Sequence, residues 1–121
     1  YALLDSPRVT GAYRFVLRPG EQTQTQVDVS LYLRREVEKV GLAPLTSMFF
    51  HGENSLREFE DFRPEAHDSD GLLIYHGAGE WLWRPLDNPR ALDVRGLHAM
   101  SLRGFGLLQR DRDFASYEDP N

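Results

Sequence analysis

The densest cluster of reactive side chains in this chain is Phe62-Arg63-Pro64-Glu65-Ala66-His67-Asp68-Ser69-Asp70-Gly71. Two carboxylates at i and i+2, a histidine beside the first and a closing glycine admit three chemistries. Asp68, poised by His67 or by an arginine, can serve as a general base. Asp68 and Asp70 can ligate a hard cation, because Asp-x-Asp-Gly is part of a calcium-loop pattern; the remaining ligand spacing and the closing glutamate of that pattern are absent. In the third, Asp68 and Ser69 cap the backbone of a solvated turn through side-chain hydrogen bonds. Spacing alone does not choose among them.

A second cluster is Gly79-Glu80-Trp81-Leu82-Trp83-Arg84-Pro85-Leu86. On a strand, Trp81 and Trp83 share one face while Glu80, Leu82 and Arg84 share the other. Paired indoles can stack on the apolar faces of sugars, and a Glu/Arg pair can bind hydroxyls. Tryptophan is also highly buried on average, so the pattern predicts the tryptophans in the core and Glu80 and Arg84 on the polar face. The third cluster, Gln109-Arg110-Asp111-Arg112-Asp113-Phe114, alternates charge and reads as a solvated strand end, a salt-bridge ladder or a carbohydrate-facing rim. His51 and His98 have no partner at metal-ligand spacing, so no metal site is expected. Neither a Gly-x-Ser-x-Gly elbow nor a phosphate-cradling glycine loop occurs.

The elements that must position these residues read as β. Residues 23–34 alternate, with Val27, Val29, Leu31 and Leu33 on one face and Gln26, Asp28, Ser30 and Tyr32 on the other. This is the pattern of a half-buried antiparallel strand. Residues 12–18 form its partner across the Arg18-Pro19-Gly20-Glu21 turn. Residues 44–50 (PLTSMFF) predict a central strand, and 51–70 a long functional loop. Strands over 71–75 and 80–85 flank a His76-Gly77-Ala78-Gly79 hairpin, and short strands follow over 91–95, 97–103 and 105–109. The expected class is a sandwich or barrel.

Composition sets the outer limits. The chain has 121 residues, 40% of them hydrophobic and 27% charged, so it is neither a disordered chain nor a bundle of membrane spans. A net charge of -5 disfavours a phosphate backbone, so no nucleic-acid partner is expected. No apolar run reaches the roughly 18 residues of a membrane span, so no direct membrane insertion is expected. Lys39 is the only lysine, and arginine is the better partner for carboxylates and aromatic faces. Zero cysteines exclude disulfides and thiolate chemistry within this chain. It opens at Tyr1 without an initiator Met, which suggests a piece of a longer protein.

Five segments carry a resemblance: residues 6–15 (SPRVTGAYRF), 43–50 (APLTSMFF), 62–72 (FRPEAHDSDGL), 79–86 (GEWLWRPL) and 104–110 (GFGLLQR). Taken in order they resemble the central part of the periplasmic glucan biosynthesis proteins G and D, of the osmoregulated periplasmic glucan pathway. That resemblance implies an antiparallel β-sandwich of the galactose-mutarotase-like type, of which residues 1–121 form one part, with the family's C-terminal immunoglobulin-like domain outside the chain. It also implies a periplasmic location and action on a β-1,2-glucan backbone as a glycoside hydrolase or transglycosylase. In that family an aspartate of the His-Asp-Ser-Asp-Gly motif is the general base, which places the role on Asp68. The general acid falls outside this chain. Inverting hydrolysis sets the two carboxyl groups roughly 6.5–9.5 Å apart, or farther when the base acts through a relay. Arg63 or Arg84 is expected to keep Asp68 ionised. His67, Asp70, Glu80, Trp81, Trp83, Arg84 and Arg110 make up the expected substrate-binding set, with no cofactor. The competing expectation is a non-catalytic glucan-binding or scaffolding module that assists a membrane glucan synthase.

Overall fold

The computed structural model describes residues 1–55 and 60–119; residues 56–59, part of the expected 51–70 loop, lie outside the described residues. The fold is mainly β, and the described residues form antiparallel sheets and one four-residue helix. Among the described residues there is no closed barrel, and the arrangement is consistent with a piece of a β-sandwich. No helix among them is long and apolar enough to cross a membrane. Two compact units are present, Tyr1–Ala43 and Pro44–Asn121.

The first unit is one three-stranded sheet of β1 (Ala2–Asp5), β2 (Val9–Arg18) and β3 (Gln24–Leu33), in the order β1-β2-β3. The expected hairpin is present, in a register that runs from Val9↔Leu33 to Arg18↔Gln24. Directly opposed residues share a face. Val9, Tyr13, Phe15 and Leu17 therefore stand on the side of Leu33, Val29 and Val27, and Arg14 stands with Asp28 on the other. Arg14 and Asp28 pair at 3.3 Å, an exposed contact worth little to stability. The burial expected of β3 is not found: Val27 and Val29 are 47% exposed and Leu33 is 54%. Alternation assigns residues to faces, but a single layer cannot cover its own apolar face.

The second unit holds a short pair, β4 (Phe49–His51) with β5 (Ala66–His67), and a sheet of β6 (Gly71–Tyr75), β7 (Trp81–Pro85) and β8 (Gly104–Leu108) in the order β7-β6-β8. The central strand expected over residues 44–50 is corrected, since only its last two residues enter β4. Both backbone groups of Met48 are engaged by Asp68, so no neighbouring strand pairs there. The β6/β7 hairpin forms as expected: His76 donates its N–H to the Glu80 carbonyl at 2.9 Å, and Gly79 takes the φ of 91° that an L side chain resists. The expected strand over 105–109 appears as β8.

Strands do not form over 91–95 or 97–103. There the apolar side chains line an open groove instead of pairing: Leu97, Ala99 and Leu102 border a groove of about 210 Å³ together with Leu72, Ile74 and Phe105. Ile74, only 7% exposed and lining that groove, marks the more buried side of the sheet, a face it shares with Leu82 and Phe105. Trp81 and Trp83 stand on the opposite face with Leu73 and Tyr75. The expectation of core tryptophans is thus reversed for Trp81, which is 63% exposed. Trp83 is half-buried, its indole lying over Gly71: a Cβ on Gly71 would stand 2.6 Å from that ring and 2.5 Å from the Arg84 carbonyl.

Candidate functional site

The turn that carries Asp68 and Asp70 is fastened at both ends. The Asp68 N–H donates to the Met48 carbonyl at 2.8 Å, and the Met48 N–H returns a bond to Asp68 Oδ2 at 2.9 Å. Buried Ser69 shares a short hydroxyl bond with Ser47. The Asp70 N–H donates to the Leu108 carbonyl at 2.9 Å, and its Oδ2 accepts the Arg110 N–H. The Leu86 N–H closes onto the Asp70 carbonyl at 2.8 Å. One tripeptide therefore ties together the segment before β4, the end of β7 and the end of β8.

The two carboxylates leave that turn in different states. Asp68 is exposed, and among the described residues its Oδ1 carries no hydrogen bond while Oδ2 is held. Asp70 is half-buried, with Oδ2 on Arg110 and Oδ1 3.8 Å from His67 Nε2. Among the described residues no hydrogen bond or ion pair joins Asp68 to Arg63 or Arg84, the arginines expected beside it. Arg63 is engaged by Asp61 at 2.8 Å and by Asp119 at 3.5 Å. Arg84, on the core side of β7, lines a groove with Asp87, Asp93 and Arg95.

Behind the turn lies a buried pair. His67 Nε2 stands 2.6 Å from Glu65 Oε2, with the imidazole side chain fully buried. Phe49 stacks on the ring at 5.1 Å and Tyr117 meets it edge-on at 5.2 Å. Nε2–H donating to Glu65 leaves Nδ1 as a bare lone pair, and Nδ1 is indeed the atom without a partner. Glu65, His67 and Asp70 bring three potential ligand atoms within 4.8 Å of one another, the set in the described residues that could hold a metal. A ligating histidine normally donates its second N–H to an acceptor. Nδ1 has none, so the geometry is that of a hydrogen-bonded pair. Asp68 belongs to no such set among the described residues.

The charged run after β8 is a turn into a helix and not a strand end. Asp111 accepts the Asp113 N–H at 2.9 Å and the Ser116 hydroxyl, and these bonds hold its carboxyl below the usual range. The helix α1 (Phe114–Tyr117) follows, and the Tyr117 hydroxyl donates back to the Asp111 carbonyl at 3.0 Å. Burial pushes the Tyr117 phenol up, and the carboxylates of Asp70, Glu65 and Asp111 add to that shift.

The Asp61–Arg63 pair gives a pH-dependent expectation. The guanidinium and the backbone N–H of Arg63 hold the Asp61 carboxyl far below its ordinary value. A carboxylate with a depressed folded-state value stabilises the fold above its unfolded value, about 3.9, and loses that contribution as pH falls toward the folded value. Asp61→Asn should therefore lower the melting temperature at neutral pH. The gap to the unsubstituted protein should narrow below about pH 4 in a melting series.

Residues 1–121 match the family model described as "Periplasmic glucan biosynthesis protein, MdoG" over their whole length. The chain belongs to the periplasmic glucan biosynthesis protein family. It is 59% identical to "Glucans biosynthesis protein G 1" of Shewanella oneidensis, over 98% of this chain and 22% of that relative. It is also 59% identical to "Glucans biosynthesis protein G" of Pseudomonas paraeruginosa and 57% identical to that of Ralstonia nicotianae, covering 23% and 24% of those relatives. The chain thus spans less than a quarter of the length of these curated relatives.

In this family member the expected site residues fall into three places. His67, Asp68 and Asp70 share the fastened turn, with the Arg110 amide on Asp70. Trp81 and Trp83 stand on one face of the β6 sheet and Arg84 on the other, so a ligand lying on one face does not meet all three. Glu80 sits in the hairpin turn, exposed. Sequence reading missed Glu65, Met48, Ser47 and Tyr117. Of these only Glu65 had a signal, its i−2 spacing from His67 on an extended segment.

Proposed function

We propose that this chain is the central part of a larger periplasmic β-sandwich domain that acts on the β-1,2-glucan backbone as a glycoside hydrolase or transglycosylase. Asp68 is its general base. The observation that carries this reading is a difference in exposure along the turn: Asp70 is half-buried beside His67, whereas Asp68 is exposed, its rotamer held through Oδ2 and its Oδ1 without a hydrogen bond among the described residues. A base needs one free basic oxygen in a fixed place, reached by the proton directly or through one water.

In the proposed reaction Asp68 takes a proton from a water that attacks the anomeric carbon. The glycosidic oxygen leaves with a proton from an acid supplied outside this chain. A sugar hydroxyl in place of that water gives transglycosylation. Asp70 and His67 hold the turn, Glu65 holds His67, and Arg110, Glu80 and the exposed tryptophan are candidates to meet the sugar. Arg84 serves a ligand only on the other side of the sheet. Incubating the full-length protein with linear β-1,2-glucan, followed by sizing and linkage analysis, tests the reading. Shortened or rearranged chains are expected. Saturable binding with unchanged length and linkage would instead establish a module that presents glucan to a membrane synthase.

A further inference from the structure

The face of the β6 sheet that carries the tryptophans has an uneven relief. Its rows across β7, β6 and β8 are Trp81–Tyr75–Gly104, then Trp83–Leu73–Gly106, then Pro85–Gly71–Leu108. Two of the three β8 positions in these rows are glycines, and a Cβ on Gly104 or Gly106 would meet nothing within 4 Å. The β7 side is a wall of rings and the β8 side a bare backbone floor.

The far row is organised in advance. Tyr75 and Trp81 stack with centroids 4.3 Å apart and planes 13° from parallel. Arg103 lies over the Tyr75 ring at 5.5 Å, donates to the Tyr75 hydroxyl at 3.3 Å and bonds the Tyr75 carbonyl through its N–H at 2.9 Å. Two residues before it, Ser101 holds a left-handed φ of 54°, a costly conformation for serine that persists where the surroundings enforce it. Trp81 lies on an edge strand, with no strand beyond it among the described residues.

Resting on the glucan reading above, we propose that Trp81, Tyr75 and Arg103, with the Gly104–Gly106 floor, form a distal sugar subsite. The exposed indole offers an apolar face to a pyranose ring, and the guanidinium and phenol offer hydrogen bonds to its hydroxyls. The near row borders the fastened turn through Leu108 and Asp70. The subsite lies four residues along β6 from that row, about 13 Å away. A chain that reaches it from the turn therefore spans more than one sugar, so the subsite acts on long chains and spares short ones.

The test is calorimetric titration of the full-length protein with short and long linear β-1,2-glucans, beside its Trp81→Ala and Gly104→Leu/Gly106→Leu variants. The glycine variants fill the trough where the fold leaves space, and unchanged melting confirms that they fold. Both variants are expected to weaken long-chain binding about tenfold or more and short-chain binding little. Long-chain affinity unchanged in both overturns the subsite alone. A failure of the unsubstituted protein to bind glucan of any length overturns the glucan reading and the subsite with it. Because binding is measured, a failure of Asp68 as the base leaves the result intact.

Discussion

Asp68→Asn in the full-length protein is expected to reduce turnover of β-1,2-glucan by about 10²–10⁴-fold, the usual contribution of a positioned general base. The fold should not suffer. The asparagine side-chain oxygen still accepts the Met48 N–H that Oδ2 accepts now, and the Asp68 backbone bond to Met48 is untouched. Glucan affinity should also be retained, since the change removes basicity and not shape. Asp70→Ala makes the contrast: it removes the oxygen that accepts the Arg110 N–H, so its loss should show in melting before it shows in chemistry. Turnover by Asp68→Asn at the level of the unsubstituted protein, measured by reducing-end release and product sizing, would remove Asp68 from the mechanism.

The second large effect concerns stability. His67→Ala should destabilise the fold by about 3–5 kcal/mol, because it leaves a buried carboxylate without its partner. Glu65 is buried, and His67 Nε2 at 2.6 Å is the contact that satisfies it. The same substitution removes the ring on which Phe49 stacks and that Tyr117 meets edge-on. Two measurements separate these causes. The double variant Glu65→Leu/His67→Phe replaces the pair by apolar groups of similar volume and should recover most of the loss in denaturant unfolding. Glu65→Gln keeps a hydrogen-bonding side chain beside His67 and should cost less than His67→Ala. A His67→Ala protein with an unchanged unfolding midpoint would mean that the pair does not hold the turn.

Much of this was legible in the residues. The alternation over residues 23–34 predicted a strand whose hairpin partner is present, running from Val9 rather than residue 12, because side-chain direction along a strand has a period of two. The His76-Gly77-Ala78-Gly79 turn and β8 followed from the same rule and from glycine punctuation. What periodicity could not supply was which side of a strand is inside. Trp81 and Trp83 share a face by spacing alone, but buried Ile74 lies on the opposite face, over which Leu97 and Leu102 pack. The apolar segments at 91–95 and 97–103 read as strands and are not, since a strand exists only where a partner accepts its backbone bonds.

The division is sharpest at the turn itself. By its residues alone the chain determined a charge that disfavours nucleic acid, the absence of thiol chemistry, a β-rich fold, and a motif that marks the family and holds two candidate carboxylates. Asp68 and Asp70 are the same residue type two positions apart, so no local rule distinguishes them. Their difference was decided by partners 20 and 40 residues away, Met48 for one and Arg110 for the other. Hydrogen bonds to distant backbone are set by how segments pack, and the same packing seals His67 against Glu65 while leaving Asp68 exposed.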